Sequence, residues 1–218
     1  MGEPGENDTE MHAIVAEFGF PLEFPADVEA EAEQIKFEIP AREIKNRRDF
    51  RNILTFTIDP YDAKDFDDAI SFVDLGNDTY EIGVHIADVT HYIQPGSKLE
   101  EEAKERATSV YLVDRTIPML PEKLSNGVCS LRPNEEKLTF STVFIIDKNA
   151  QIKDQWIGKT VINSDRRFTY EEAQEVIETG QGDHAKELKI LNDLAKKLKE
   201  NRFKNGAINF ETEEVKFR

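Results

Sequence analysis

Apolar and polar residues alternate with a period of two in several stretches of the chain, the mark of half-buried strands. "NILTFTI" is a β-rich run that ends at Asp59-Pro60. Proline biases the preceding residue toward extended backbone and cannot donate into a ladder, so Asp59 is placed at the end of a strand. "DAISFVDL", the turn "GND" and "YEIGVHIADV" predict one hairpin; "KLTFSTVFIID", "KNAQ" and "IKDQWIGKTVI" predict a second. Helical spacing takes over elsewhere. "NDTEMHAIVAEFG" predicts a short helix capped by Asp8 or Thr9 and stopped at Gly19, and "PADVEAEAEQI" one begun by Pro25. "SKLEEEAKERA" carries Ser97 with Glu100 three residues on, a capping box. "TYEEAQEVIETG" and "HAKELKILNDLAKKLKENRFKNG" close the helical set, the latter with Leu188, Leu191, Leu194 and Leu198 on one stripe.

These elements predict a mixed α+β fold of antiparallel hairpins and a mixed sheet with flanking helices. Residues 1–50 read as a linker with two short helices, ending in the basic connector "EIKNRRDFRN", and the packed domain as 51–218. "IPMLPEKLSNGVCSL" is a proline-bounded apolar segment unlike a solvated loop, and "AINFETEEVKF" predicts a last strand. A chain that stops on a strand-like pattern reads as cut.

Composition narrows the classes. Of 218 residues, 39% are hydrophobic, enough for a core. Lys and Arg number 28 against 44 Asp and Glu, a net charge of −16. That balance argues against a general nucleic-acid coat, since phosphate binding is driven by cations, but leaves room for a narrow basic channel. The single cysteine, Cys129, forms no disulfide framework and fits a reducing, cytoplasmic setting. There is no signal-peptide pattern at the N-terminus and no apolar run of about 18 residues, so no membrane is expected as a partner.

The chemistry concentrates in "TIDPYDAKDFDDAIS", where Asp59, Asp65, Asp67 and Asp68 form the pattern D-x5-D-x-D-D. Aspartates favour turns and caps, and a solvated acidic face is the plain alternative. Against it, Phe66, Ala69, Ile70 and Phe72 interleave the acids, and Asp67-Asp68 leads straight into an apolar strand. Carboxylates held close repel unless a cation or protons compensate. The candidate ligands are hard oxygens, which favours Mg²⁺ or Mn²⁺ over zinc. A calcium EF-hand fails, because Ile70 and Gly76 stand where glycine and glutamate are needed. Such sites leave positions open for water and phosphate, so metal-assisted phosphodiester chemistry is the functional alternative.

"FTIDPYDAKDFDDAIS", "YEIGVHIADVTHYI", "ATSVYLVDRTIPMLPEKLSNGVCSLRP" and "GAINFETEE" resemble the catalytic (RNB) domain of the ribonuclease R and ribonuclease II family. "EMHAIVAEFGFPLEFPADVEAEA" resembles the linker before it in bacterial ribonuclease R, which follows an OB-type domain. The resemblance implies a Mg²⁺-dependent hydrolytic exoribonuclease that digests single-stranded RNA from its 3′ end and releases nucleoside 5′-monophosphates. It puts the family's four acidic positions on Asp59, Asp65, Asp67 and Asp68, with Asp67 needed beyond ligation. It puts base-clamping aromatics on Tyr111, Tyr170 and Phe210; Tyr170 and Phe210 read equally well as core residues. It also implies that this chain is a piece lacking the downstream half of the domain, with its phosphate-contacting arginine, and the OB-type domains. Such a piece is expected to be inactive alone. The alternative is a non-catalytic RNA-binding or protein-interaction module of the same fold.

Other residues stay open. His85 alternates with Val84 and Ile86 and reads as structural. Arg47, Arg48, Arg51, Arg166 and Arg167 are candidate phosphate contacts or ordinary surface cations.

Overall fold

The structure, a computed structural model, describes residues 6–112 and 115–209. In chain order the elements are α1 (Asn7–Glu17), α2 (Ala26–Glu33), α3 (Ala41–Lys45), β1 (Arg48–Asp49), β2 (Thr55–Asp59), β3 (Asp68–Gly76) and β4 (Thr79–Ala87). There follow α4 (Val89–Tyr92), α5 (Lys98–Arg106), β5 (Val110–Tyr111), β6 (Thr116–Ile117) and a π-helical turn, Lys123–Val128. The chain continues through β7 (Glu136–Asp147), β8 (Ile152–Asn163), β9 (Arg166–Thr169), α6 (Tyr170–Thr179) and α7 (Ala185–Lys204). Contacts divide the described chain into two units, residues 6–37 with 89–127, and residues 38–88 with 128–209. Among the described residues, no helix is long and apolar enough to cross a membrane.

In the first unit α2 packs on α5. Ser97 caps α5, accepting from the Glu100 amide at 3.1 Å, but the expected box is only half formed, since the Glu100 carboxylate accepts from the Gly96 amide and not from that of Ser97; Glu31 Oε2 accepts from the Lys98 amide at 2.9 Å. Buried Arg106 ties the unit together. Its guanidinium donates to the carbonyls of Pro21, Glu23 and Pro118 at 3.0, 2.7 and 3.3 Å and lies 3.6 Å over the Phe24 ring. α1 begins without the expected Asp8 or Thr9 cap: Glu6 occupies the cap position and makes no side-chain capping bond. Gly19 does end the turn, with φ +69°.

The second unit is built on a seven-stranded sheet, order β1-β8-β7-β4-β3-β2-β9. Both expected hairpins form, β3–β4 and β7–β8. The central pairings are antiparallel, while β1 on β8 and β9 on β2 are parallel. The stretch read as a basic connector instead supplies α3 and β1. Phe50, just beyond β1, is 1% exposed.

One face of β2, β3, β4 and β7 is apolar and covered by α6 and α7. Phe56 and Phe168 pack with Ala173, Val176 and Leu188, and Phe72, Tyr80 and Ile146 pack with Leu194. α6 begins in a full capping box, Thr169 with Glu172. Along α7 the leucine stripe holds at Leu188 and Leu194, but Leu198 stands 39% exposed. Beyond the helices the same face is open, with Ile86, Phe140 and Ile157 exposed. In register, Ile86 lies between Asp68 and Phe140.

The opposite face carries a buried polar stripe. His85, fully buried, bonds Ser141 Oγ through Nδ1 at 2.7 Å and Ser71 Oγ through Nε2 at 2.9 Å. Ser141 and Thr139 each share a hydrogen bond with the Thr160 hydroxyl. Glycine is required at Gly83, because an added Cβ would collide with Ser71 Oγ and the His85 ring. Arg47 ends the stripe. It donates to the carbonyls of Thr139 and Thr160 and pairs with the buried Asp88 at 2.7 Å. It is a structural ion-pair residue and not the phosphate contact expected as one option. The expected last strand falls mostly outside the described residues, and 207–209 carry no element.

Candidate metal centre

Alternation along β2 turns Phe56 and Ile58 toward the helices and Thr55, Thr57 and Asp59 the other way. Asp59 is the last residue of the strand and only 7% exposed. Pro60 then forces the chain out of the ladder, and residues 60–67 form a loop that returns to β3 at Asp68. Asp65 and Asp67 sit on that loop and Asp68 opens β3, so the four aspartates flank one strand-loop-strand junction. Asp65 is half-buried; Asp67 and Asp68 are exposed.

Like charges dominate the electrostatics, with Arg167 opposing them at Asp59. The Asp59 carboxyl is held above the ordinary carboxylate range, first by burial. The nearby Thr57 hydroxyl opposes this, though it falls short of a hydrogen-bond geometry; Asp68 and Asp65 add to the rise and Arg167 opposes it. The Asp67 carboxyl is also raised, first by the protein around it and then by Asp65, Asp68 and Asp59. Asp67 is exposed by surface area while its carboxyl has protein on several sides. Asp59 Oδ2 is buried and has no hydrogen-bond partner.

An orphaned anionic oxygen beside three further carboxylates is costly without a counter-charge. The donor set, four aspartates with no nitrogen or sulfur, fits a hard divalent cation in kind, charge and number. The four are not drawn together as they stand: among the described residues, no three His, Cys, Asp or Glu side chains form a group that could hold a metal ion. Cys129 takes no part, since burial pushes its thiol up to about 12. Asp62 lies on the same loop, exposed.

Two side chains that sequence reasoning did not assign to the loop hold its backbone. Ser130, fully buried, accepts from the Phe66 amide at 3.1 Å and donates to the Lys64 carbonyl at 2.8 Å. Arg167 Nη2 donates to the carbonyls of Pro60 at 2.5 Å and Tyr61 at 3.0 Å. Nothing in "VCSLRP" marks a hydroxyl that must reach a loop 64 to 66 residues away in sequence. The remaining candidate arginines have acidic partners. Arg48 pairs with Glu81, Arg51 with Asp49 and Glu136, and Arg166 with Glu172 and Asp183.

The candidate clamp residues fall in different places. Tyr111, on β5 of the first unit, is 66% exposed, and Tyr170, the first residue of α6 in the second, is 56% exposed. Neither is a core aromatic. Phe210 lies outside the described residues.

The RNB domain family matches residues 47–218. The chain belongs to the RNB domain family. It is 41% identical over 222 residues to "Ribonuclease R 1" of Lactococcus lactis, covering 99% of this chain and 27% of that protein. Ribonuclease R of Mycoplasma genitalium, solved in complex with ribose-methylated single-stranded RNA, superposes with a TM-score of 0.90 at 28% identity, over 99% of this chain and 34% of that one. Yeast Ssd1, described as a pseudonuclease, shares the fold, with a TM-score of 0.77 at 23% identity over 93% of this chain and 26% of that one. The chain thus spans about a quarter to a third of these proteins.

Proposed function

We propose that this chain is the acid-cluster portion of a metal-dependent hydrolytic 3′-to-5′ exoribonuclease. The observation that carries the reading is the four-aspartate junction, with its orphaned Asp59 oxygen, in a chain of the RNB family. Asp59, Asp65, Asp67 and Asp68 would hold Mg²⁺ or Mn²⁺. Such ions, when bound, compensate the carboxylates and lower the pKa of water to make it a nucleophile. In the reaction, a bond forms between water oxygen and the phosphorus of the last phosphodiester, the bond from that phosphorus to the preceding O3′ breaks, and O3′ takes a proton from solvent water. A nucleoside 5′-monophosphate leaves, and the shortened RNA keeps a 3′-hydroxyl. Asp67, reachable by water and raised in proton affinity, is assigned the role beyond ligation, taking up the proton that water gives up. Exposed Tyr111 and Tyr170 offer π-faces that stack any base, which suits digestion without sequence preference; Phe210 is assigned the same role.

A second reading, an RNA-binding module without activity, draws on the pseudonuclease of the same fold. One experiment separates them. In the full-length protein, with single-stranded RNA and Mg²⁺, Asp67→Asn lowers hydrolysis a hundredfold or more and leaves RNA binding in place. Turnover within a fewfold of an active unmutated protein removes Asp67 from the chemistry, whereas RNA binding with no turnover in the unmutated protein itself favours the module. The chain by itself, with net charge −16 and a fraction of its relatives' length, is expected to release no monophosphates from labelled poly(A).

A further inference from the structure

The aspartate loop spans residues 60–67 between two fixed points, Asp59 on β2 and Asp68 on β3. A loop of that length left to itself would place Asp65 and Asp67 over a wide range, because nothing in backbone preference points those side chains at Asp59. The structure holds it from two sides by side chains that carry no acid. On its first half Arg167 is the clamp. It lies opposite Thr57 in the parallel register of β2 and β9. Its guanidinium reaches the consecutive carbonyls of Pro60 and Tyr61 and lies 5.5 Å from the Phe66 ring centroid. On the second half the clamp is Ser130. One hydroxyl bonds both the Lys64 carbonyl and the Phe66 amide, so it brackets Asp65, and the next residue, Leu131, donates its amide to the Phe66 carbonyl at 2.8 Å. Asp67 then rejoins the sheet through its carbonyl, which accepts from the Ala87 amide at 3.0 Å.

We propose that Ser130 and Arg167 are positioning residues, which hold the backbone of the 60–67 loop at the strand ends that carry Asp59 and Asp68, and thereby set the affinity of the acid cluster for a divalent cation. The inference rests on the reading of the cluster as a metal centre. Ser130 has no free hydrogen-bonding capacity for substrate, since its hydroxyl is fully buried and engaged on both sides. Arg167 Nη2 is engaged by two backbone carbonyls and its Nε is buried, so its contribution runs through the loop. Geometric fixing of ligands by groups that never touch the ion is a general determinant of metal affinity, with losses of ten- to a hundredfold when such a support is removed.

The test is Mn²⁺ binding by this chain, followed by electron paramagnetic resonance, with thermal unfolding of each variant recorded without metal. Ser130→Ala and Arg167→Met are expected to weaken Mn²⁺ binding about tenfold or more. Arg167→Lys, which keeps a cationic donor on β9, recovers binding to within about threefold of the unmutated chain. Leu194→Ala is the control, because it loosens the core under α7 without touching the loop; it lowers the unfolding temperature and leaves Mn²⁺ affinity unchanged. Asp67→Asn tests the metal-centre reading separately and is expected to weaken binding more than either positioning variant. Unchanged affinity in Ser130→Ala and Arg167→Met, with Asp67→Asn still defective, overturns the positioning roles and leaves the metal centre standing. Equal losses in Leu194→Ala also overturn them, since loosening alone would then account for the effect. If Asp67→Asn binds as the unmutated chain does, or the chain takes up no Mn²⁺, the metal-centre reading falls and the inference with it.

Discussion

Two polar clusters lie in the same sheet and are built on opposite plans. Around His85, every charge or hydroxyl described above meets a complement. Both ring nitrogens are bonded, the serine and threonine hydroxyls bond one another, and Arg47 answers Asp88. At the end of β2 four carboxylates share one sign, with Arg167 as the opposing charge, and two buried oxygens, the Thr57 hydroxyl and Asp59 Oδ2, have no hydrogen-bond partner. A satisfied polar network inside a core fixes register and packing. An unsatisfied one, kept beside water, is a cost that the fold itself does not recover. The contrast separates structural polarity from functional polarity without reference to residue type, since aspartate appears in both.

The difference can be attacked from either side. The largest stability effect is expected from Arg47→Met. It strands Asp88, whose side chain is 2% exposed, and should cost about 3–5 kcal/mol in denaturant unfolding. Lys159, 3.7 Å from Asp88, brings the loss toward the lower end. A cost under about 1 kcal/mol would mean that the ion pair is dispensable. Acid comes next. Burial, then the charge of Arg48, lowers the His85 pKa from 6.5 to about 4. Between those values the unfolded chain binds a proton that the folded chain refuses, so stability falls as pH drops through that window. The loss totals roughly 3 kcal/mol and levels off below pH 4. Asp59 and Asp67 contribute with the opposite sign: their raised folded-state values weigh against the fold at neutral pH and cease to do so on acidification. Unfolding curves at pH 7 and pH 5 should therefore show a larger acid loss for Asp67→Asn than for the unmutated chain.

Ser141→Ala leaves His85 Nδ1 without its bond and should cost about 1–3 kcal/mol. Asp67→Asn gives the smallest change and the reverse direction: without metal it removes a like charge and should raise the unfolding temperature by a few degrees, for a gain of under about 1 kcal/mol. A loss of stability there would place the acid cluster with the His85 network and erase the distinction.

Much of the sheet was legible in the sequence, because period-two alternation and the turns at Gly76-Asn77-Asp78 and Lys148–Gln151 carry their own signal. Asp59 and Asp68 at strand ends were legible for the same reason, through Pro60 and the apolar run after Asp68. What escaped depends on distant partners. β1 is only two residues long, Arg48 and Asp49, and joins the sheet only because β8 receives it. Arg47 reads as a surface cation until Asp88, 41 residues on, is placed beside it. Ser130 carries no local mark of its two bonds to the loop. Leu198 continues a leucine stripe that the underlying sheet does not reach. The exposure of Tyr111 and Tyr170 was also unreadable, since an aromatic beside a strand or at a helix start serves a core as readily as a surface.

The parallel seam between β2 and β9 has a consequence in time. Hairpins such as β3–β4 close over a few residues and form early, whereas Thr55 meets Asp165 across 110 residues of chain. Closing a loop that long is slow, and contacts of high sequence separation form late. Asp59 sits on one strand of that seam and the Arg167 clamp on the other. On a growing chain, the acid cluster therefore cannot be organised until residue 167 and its strand have been synthesised and docked, so the site matures after the antiparallel centre of the sheet that supports it.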